Sequence, residues 1–296
     1  MSQPELSVVM ACSGAEEPSD EVLAALRRGC EGVATELIVV SAGDGGNPDL
    51  AAAHFPGVVI ARRPADTLTP VLWGEGCRLA RGRIVAFTTH QMRVAPLWAR
   101  KLLEALESGA TGVAGPIGLE PDADRATAAA YFTRFSLFAP HLWTVPARAR
   151  DIPGDNAAYR REAILRHQDL VARGFWEVEF HRRFETEGGF LLMEPAAAAT
   201  LTGSASIGSL LRQRFRHARE FGESRVAHHG AHRLKLLLLA PLVPLVLMVR
   251  VGKRLPPAGP EKRLFLGALP RLALLSTAWA AGEAVGALRP RPKAAG

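Results

Sequence analysis

Short apolar runs alternate with amphipathic stretches over the first third of the chain. Leu6–Cys12 (LSVVMAC) is one such run, ending at Ser13-Gly14. Behind Ser19, a residue suited to cap a helix N-terminus, Val and Leu recur at helical spacing up to Cys30. Glu36–Gly46 (ELIVVSAGDGG) reads as a second buried strand that ends in a glycine-rich turn. Gly57–Arg63 (GVVIARR) reads as a third strand and Arg83–Thr89 (RIVAFTT) as a fourth. The fourth runs into a polar turn and then an amphipathic helix over Pro96–Gly109, closed by Gly109. Strands alternating with helices predict an α/β fold built on a mostly parallel sheet flanked by helices. The strands are continuously apolar rather than alternating, so both faces of that sheet should be covered.

From about 115 to 202 the pattern is mixed. Asp151–Asp169 reads as a loop entering a helix, Gly174–Gly189 as a second helix ended by a glycine pair, and Phe190–Thr200 as a strand. Ser206–Ser224 is a strongly basic helix. The final stretch changes character: Leu236–Val249 is apolar between Lys235 and Arg250, and Leu264–Leu288 is apolar again after a basic, proline-rich loop. Two buried core helices would satisfy this pattern, but an apolar run with cations at both ends resembles a bilayer segment more closely. Leu236–Val249 alone gives about 21 Å of helix, short of the ~30 Å hydrocarbon core. A single crossing would also carry Arg250, Lys253, Arg254, Lys262 and Arg263 away from the cytosol, against the positive-inside tendency. A shallow hairpin or interfacial helices, with Lys235 and Arg250 snorkelling, keeps those cations beside anionic lipid. Three segments follow: 1–115, 116–230 and an apolar tail over 231–296.

Composition narrows the partners. Hydrophobic residues make up 48% of the 296 positions, which excludes a disordered chain, and the net charge of +7 favours an anionic partner. Nucleic acid is set aside as that partner, because no nucleic-acid motif is present and aromatic–basic interleaving is absent, with only two tyrosines. The three cysteines, Cys12, Cys30 and Cys77, have neither metal-ligand nor CxxC spacing and read as reduced core thiols of a cytosolic compartment. The opening residues carry no basic n-region and only a six-residue apolar run, so no secretory signal is expected.

Taken in order, these segments resemble family 2 glycosyltransferases of the GT-A fold. LSVVMAC is similar to the family's first strand (SVVIPTYN), and ELIVVSAGDGG to its second strand and nucleotide-binding turn (EIIVVDDGS). GCRLARGRIVAFTTHQMRVAPLWARKLLEAL is similar to the segment that ends the fourth strand. IPGDNAAYRREAI and GFWEVEFHRRFETEGG resemble later family segments, and LRQRFRHAREFG resembles a basic helix of membrane-bound members. The resemblance implies a Rossmann-like GT-A domain. It also implies inverting transfer of a sugar from a nucleotide diphosphate donor to a lipid or polysaccharide acceptor, at the cytoplasmic face of the cell membrane. A catalytically inactive membrane scaffold or partner subunit of the same fold is the alternative.

The implied roles map residue by residue. Ser13, Ser41 and Asp44 fall where donor base and ribose are bound; Ser41 stands where an acid is usual, and Asp44 is equally a turn former. Glu177 falls on the general base, with Glu179 two residues on; apolar Phe175-Trp176 would keep Glu177 a usable base, whereas pairing with Arg182 or Arg183 would make both acids structural. Asp155 and Asn156 would line the sugar or acceptor pocket, though Asp155 also suits a helix N-cap. Arg160 and Arg161 would stabilise phosphate. Gln213, Arg214, Arg216 and His217 would bind diphosphate or lipid headgroup, or else form a solvated charge run. One departure stands out. Where the family commonly carries Asp-x-Asp for Mg²⁺ or Mn²⁺, this chain has Thr89-His90-Gln91, one imidazole and one amide. Three readings stay open: metal-independent transfer supported by arginines, weak Mn²⁺ binding through His90, and loss of catalysis.

Overall fold

A computed structural model describes residues 3–13, 17–45, 47–203, 206–228 and 233–288, Lys235 by its backbone only. Gly14 and Gly46, expected in strand-ending turns, and the side chain of Lys235 lie outside the described residues. The strands are β1 (Leu6–Cys12), β2 (Thr35–Ala42), β3 (Val59–Arg63), β4 (Ile84–Thr89), β5 (Met92–Val94), β6 (Gly112–Ala114), β7 (Ile117–Leu119), β8 (Ala147–Ala149), β9 (Asn156–Arg160), β10 (Leu191–Met193) and β11 (Ala199–Leu201). The helices are α1 (Asp20–Gly29), α2 (Pro48–His54), α3 (Thr69–Leu79), α4 (Trp98–Leu106), α5 (Arg125–Arg134), α6 (Arg161–Leu165), α7 (Gln168–Val171), α8 (Glu177–Thr186), α9 (Ile207–His228), α10 (Arg233–Leu239), α11 (Val243–Arg254) and α12 (Pro260–Leu288). They form two compact units, one of Met1–Gly118 with Phe138–Thr202, the other of Leu119–Leu137 with Gly203–Gly296. These bounds cross the segment limits read from composition.

The first unit is an α/β domain around an eight-stranded sheet in the order β3-β2-β1-β4-β9-β6-β10-β8. Strands β1 to β4 run parallel, β9 is antiparallel to both β4 and β6, and β10 lies parallel to β6. The expected mostly parallel sheet is therefore present. Every residue of β1 and of β4 is buried, as their unbroken apolar runs require. Ser19 caps α1, its side chain accepting from the Val22 N–H at 3.3 Å. Several short strands depart from expectation, and Phe190–Thr200, read as one strand, holds β10 and the start of β11 with a turn between them. β5 interrupts the passage from β4 to α4, and β9 occupies residues read as a loop entering a helix.

On one face of the sheet Phe87, Tyr159, Phe175, Phe180 and Phe184 pack into one cluster, with ring centroids 4.3 Å apart for Phe87–Phe175 and 4.5 Å for Phe175–Phe180. Burying each ring stabilises the unit by about 2–3 kcal/mol. The segment that enters α8 is seated on this cluster through a glycine contact. A Cβ on Gly74 of α3 would lie 2.6 Å from Gly174 Cα, and Gly174 itself has φ +112°. Phe175 N–H then donates to Pro70 O at 2.7 Å. Gly74→Ala is expected to push this segment off α3, lowering the melting temperature and displacing Glu177 three residues beyond Gly174. An unchanged melting temperature would show that the contact is not needed.

The thiols behave as read from the sequence: Cys12, Cys30 and Cys77 are free and buried. Burial pushes the Cys30 and Cys77 thiols up to about 12, the opposite of a reactive cysteine.

In the second unit α12 packs along α9 and α5. Glycines allow the close approach: a Cβ on Gly282 would meet Phe215 O at 2.2 Å, and one on Gly286 would meet Arg219 O at 2.0 Å. Arg225 and Glu283 form an ion pair across the same contact. Two helical runs, Leu236–Arg254 of 19 residues and α12 of 29, are long and apolar enough to cross a membrane. Only 6% of the apolar window in the first is buried, and Leu238, Leu242, Leu245 and Val249 are exposed, so it is not a core helix of this structure. Both features support membrane association. The expectation from length is also revised. The helix continues past Val249 to Arg254, giving about 28 Å, close to the hydrocarbon thickness.

Candidate functional site

Parallel strands present their carboxyl ends, and the turns that follow them, on one edge of a sheet, where ligands bind in α/β folds. In the first unit that edge carries Thr88 and Thr89 of β4 and His90 just after it, all buried. The backbone N–H of His90 donates to Ala11 O of β1 at 3.2 Å, and its Nδ1 lies 3.4 Å from the same oxygen. Gln91 carries the chain into β5, and its carbonyl accepts from the Thr202 N–H at 2.9 Å and hydroxyl at 3.1 Å. Thr88 pairs with Asn156 in the β4–β9 ladder. Because β9 runs antiparallel, Gly154 and Asp155 just before it arrive at the same edge, and Asp155 is buried there.

Trp73 and Glu177 complete the cluster. Trp73 of α3 donates its indole N–H to Thr88 O at 2.9 Å. A Cβ on Gly154 would lie 2.9 Å from Trp73 Cζ3 and 3.4 Å from Glu177 Cδ, so the indole edge and the carboxyl group both flank that glycine. Glu177 opens α8 and is half-buried. Glu179 is held instead by Arg173, whose Nη2 lies 2.5 Å from its Oε2. The arginines expected as alternative partners are engaged elsewhere, Arg182 with Asp151 and Glu185, Arg183 with Asp169.

A polar chain runs from buried Tyr159 and His181 to half-buried Asp151. His181 Nδ1–H donates to Asp151 Oδ1 at 3.1 Å, so its Nε2 accepts from the Tyr159 hydroxyl at 2.9 Å; Asp151 Oδ2 also accepts from Arg182 at 2.6 Å. Burial pushes the Tyr159 phenol well above its ordinary value, and the Glu177 and Asp151 charges add to this. Burial would raise Asp151 too, but hydrogen bonds from His181 and Arg182 and the Arg182 charge outweigh it and hold the carboxyl below its usual range. Burial lowers His181 below 6.5 despite the pull of Asp151, so the imidazole is neutral. With the folded-state value depressed, the unfolded chain binds the extra proton first. Stability is full above about pH 6.5 and is lost as pH falls through the folded-state value. The melting temperature of the whole chain should therefore drop on acidification from pH 7 to 5. His181→Phe should flatten that slope; an equal slope in the variant would mean other groups carry it.

The remaining expected residues sort by place. Ser41 is wholly buried, its hydroxyl without a hydrogen-bond partner, while Asp44 is an exposed turn residue and Ser13 is half-buried after β1. Asn156 is fully buried and its amide is used internally. Oδ1 accepts from Trp98 Nε1–H at 2.6 Å, and Nδ2 donates to Ala197 O at 3.0 Å and Pro116 O at 3.3 Å. It ties β9 to α4 and the 195–197 turn rather than offering free groups to a pocket. Asp155 caps no helix, because a strand follows it. Arg160 and Arg161 lie at the opposite end of β9, Arg160 pairing with Ile84 in the ladder, about 13 Å from Asn156 at ~3.3 Å per residue. They are not brought to the strand end that carries His90.

Gln213, Arg214, Arg216 and His217 belong to α9 of the second unit and are half-buried rather than a solvated run. The Arg214 guanidinium sits 4.3 Å over the Trp279 ring, and the His217 ring centroid lies 5.8 Å from it. Burial, with the charge of Arg134, lowers Arg214 to about 9, and burial with the Arg214 and Arg134 charges lowers His217 to about 3. His217 therefore adds no charge at neutral pH.

Among the described residues no group of three or more His, Cys, Asp or Glu is gathered as a metal-binding set. Thr89-His90-Gln91 offers one imidazole and one amide, a poor match to a hard divalent cation. Sequence reasoning missed Trp73 and Gly154. The signal available was the WGEG stretch, where small residues beside an indole mark close packing of helix on sheet. The Tyr159–His181–Asp151 chain had no local signal, since its members meet only through the fold. No protein-family model matches the chain, and no curated protein matches it.

Proposed function

We propose that this protein is a membrane-associated, inverting glycosyltransferase of the GT-A type. It moves a sugar from a nucleotide diphosphate donor to a lipid or polysaccharide acceptor. The observation that carries the reading is the meeting of Thr88–His90, Gly154–Asp155 and the half-buried carboxylate Glu177 at the carboxyl edge of a β3-β2-β1-β4 parallel sheet, with antiparallel β9 beside β4.

Glu177 is the general base. Its carboxylate takes the proton of an acceptor hydroxyl as that oxygen attacks the anomeric carbon. The new carbon–oxygen bond forms on the face opposite the departing diphosphate. The anomeric carbon–phosphate oxygen bond breaks with its electron pair leaving on the nucleotide, and the configuration inverts. Trp73 and Gly154 hold the carboxylate against the strand end, and His90 and Gln91 provide hydrogen bonds to the donor. With donors that do not suit a hard cation, no step is routed through a metal. The exposed apolar helices, with Arg250, Lys253, Arg254, Lys262 and Arg263 at their junction, suit the anionic cytoplasmic face of a membrane.

The test is transfer by purified protein from labelled UDP- and GDP-sugars to a membrane lipid extract, with and without EDTA. Turnover unaffected by EDTA is expected. The same Thr89-His90-Gln91 favours a second reading, a non-catalytic scaffold, which would bind a nucleotide sugar without turnover over a broad panel. Failure of every nucleotide sugar to bind would sink both.

A further inference from the structure

The opposite end of the sheet carries a concave site. A cleft of about 590 Å³ opens where β4 begins and β9 ends, within the size range of small-ligand pockets. Four arginines line it, Arg83, Arg160, Arg161 and Arg166, together with one carboxylate, Glu162. Ile84 and Leu165 supply apolar wall.

The four guanidinium groups are not equivalent. Arg83 is neutralised by an ion pair with Glu5. Arg160 donates to the carbonyls of Leu106 at 2.7 Å and Ala110 at 3.2 Å, which fixes its head but leaves its charge unmet. Arg161 and Arg166 make no ion pair among the described residues, and Arg161 Nε is buried without a hydrogen-bond partner. An N–H donor left unpaired is costly, and an acceptor oxygen brought by a ligand removes that cost. The Arg161 backbone is pinned, its N–H donating to Arg83 O at 3.0 Å, so its position is set by the sheet. Three unmet guanidinium charges (Arg160, Arg161, Arg166) against Glu162 leave two positive charges, the complement of a phosphate dianion. The planar fork of arginine matches phosphate oxygens two at a time, and the apolar wall suits an uncharged body attached to the phosphate.

We infer that this cleft is a binding site for a phosphate monoester, held through Arg161 and Arg166, separate from the edge that carries His90 and Glu177. The inference is independent of the proposed transfer reaction. The phosphate could belong to a small soluble ester or to a lipid headgroup, and the experiment separates the two.

Calorimetric titration of the full chain in detergent with glycerol phosphate is expected to show saturable binding. Arg161→Gln should weaken it about tenfold or more and Arg166→Gln about threefold, with Arg161→Lys also weakened because the fork is lost. His90→Ala, at the other end of the sheet, should leave it unchanged. In parallel, the chain is sedimented with phosphatidylcholine vesicles containing or lacking phosphatidic acid. Binding of glycerol phosphate identifies a soluble ester. Sedimentation that depends on phosphatidic acid and falls in Arg161→Gln, without glycerol phosphate binding, identifies a headgroup. The inference is overturned if neither probe binds, if both arginine variants bind like wild type, or if His90→Ala abolishes binding. Should Arg161→Gln melt early, the exposed Arg166→Gln decides alone.

Discussion

Glu177→Gln is expected to lower turnover by about two to four orders of magnitude, the usual contribution of a positioned general base, with little change in donor affinity. Glutamine keeps the size and the hydrogen-bonding edge of the side chain, so the contacts beside Gly154 and Trp73 survive while the proton acceptor is lost. Glu179→Gln should cost far less. Its carboxylate is already held by Arg173, and its loss frees that exposed arginine, which precedes α8, rather than a reacting group. Steady-state kinetics on both variants with one labelled donor decide the matter. A large loss in Glu179→Gln with normal turnover in Glu177→Gln would reverse the assignment.

Asn156→Ala is expected to be among the most destabilising single changes in the first unit. The substitution leaves Trp98 Nε1–H and the Ala197 carbonyl unpaired in a site with no solvent access, while Pro116 O keeps the Ala199 N–H. Two orphaned buried groups, at about 1–3 kcal/mol each with partial relaxation, give a loss of roughly 2–5 kcal/mol. Thermal melts of the whole chain should show a drop of roughly 10 °C. Trp98→Phe removes one of those donors in advance. In a double-mutant cycle the two substitutions should cost less together than their sum. Strict additivity would show that the amide and the indole act independently, against the 2.6 Å contact between them.

The parts legible from sequence were those in which one segment settles its own state. The unbroken apolar runs of β1, β2 and β4 can only be strands covered on both sides, and Ser19 marks the start of α1 whatever surrounds it. The buried cysteines and the apolar character of Leu236–Val249 follow in the same way from composition, whereas the exposure of that run and its extension to Arg254 do not. The strand end carrying Thr89-His90-Gln91 was likewise legible, because a strand's carboxyl end is set by its own direction.

What the tertiary structure decided depends on partners remote in sequence. Asn-Ala-Ala-Tyr-Arg has weak strand character, and it becomes β9 only because β4 and β6 offer hydrogen-bonding edges on both sides. Once it is a strand, its four-residue rise carries Asn156 and Arg160 to opposite ends of the sheet, separating residues only four apart in sequence. The same rise divides the candidate site at His90 and Glu177 from the arginine cleft at Arg161. The meeting of Glu177 with Trp73 and Gly154, and of Tyr159 with His181 and Asp151, was settled by packing rather than by local pattern. A hydrogen bond or a glycine contact carries no periodicity along the chain, so only the folded arrangement brings those atoms together.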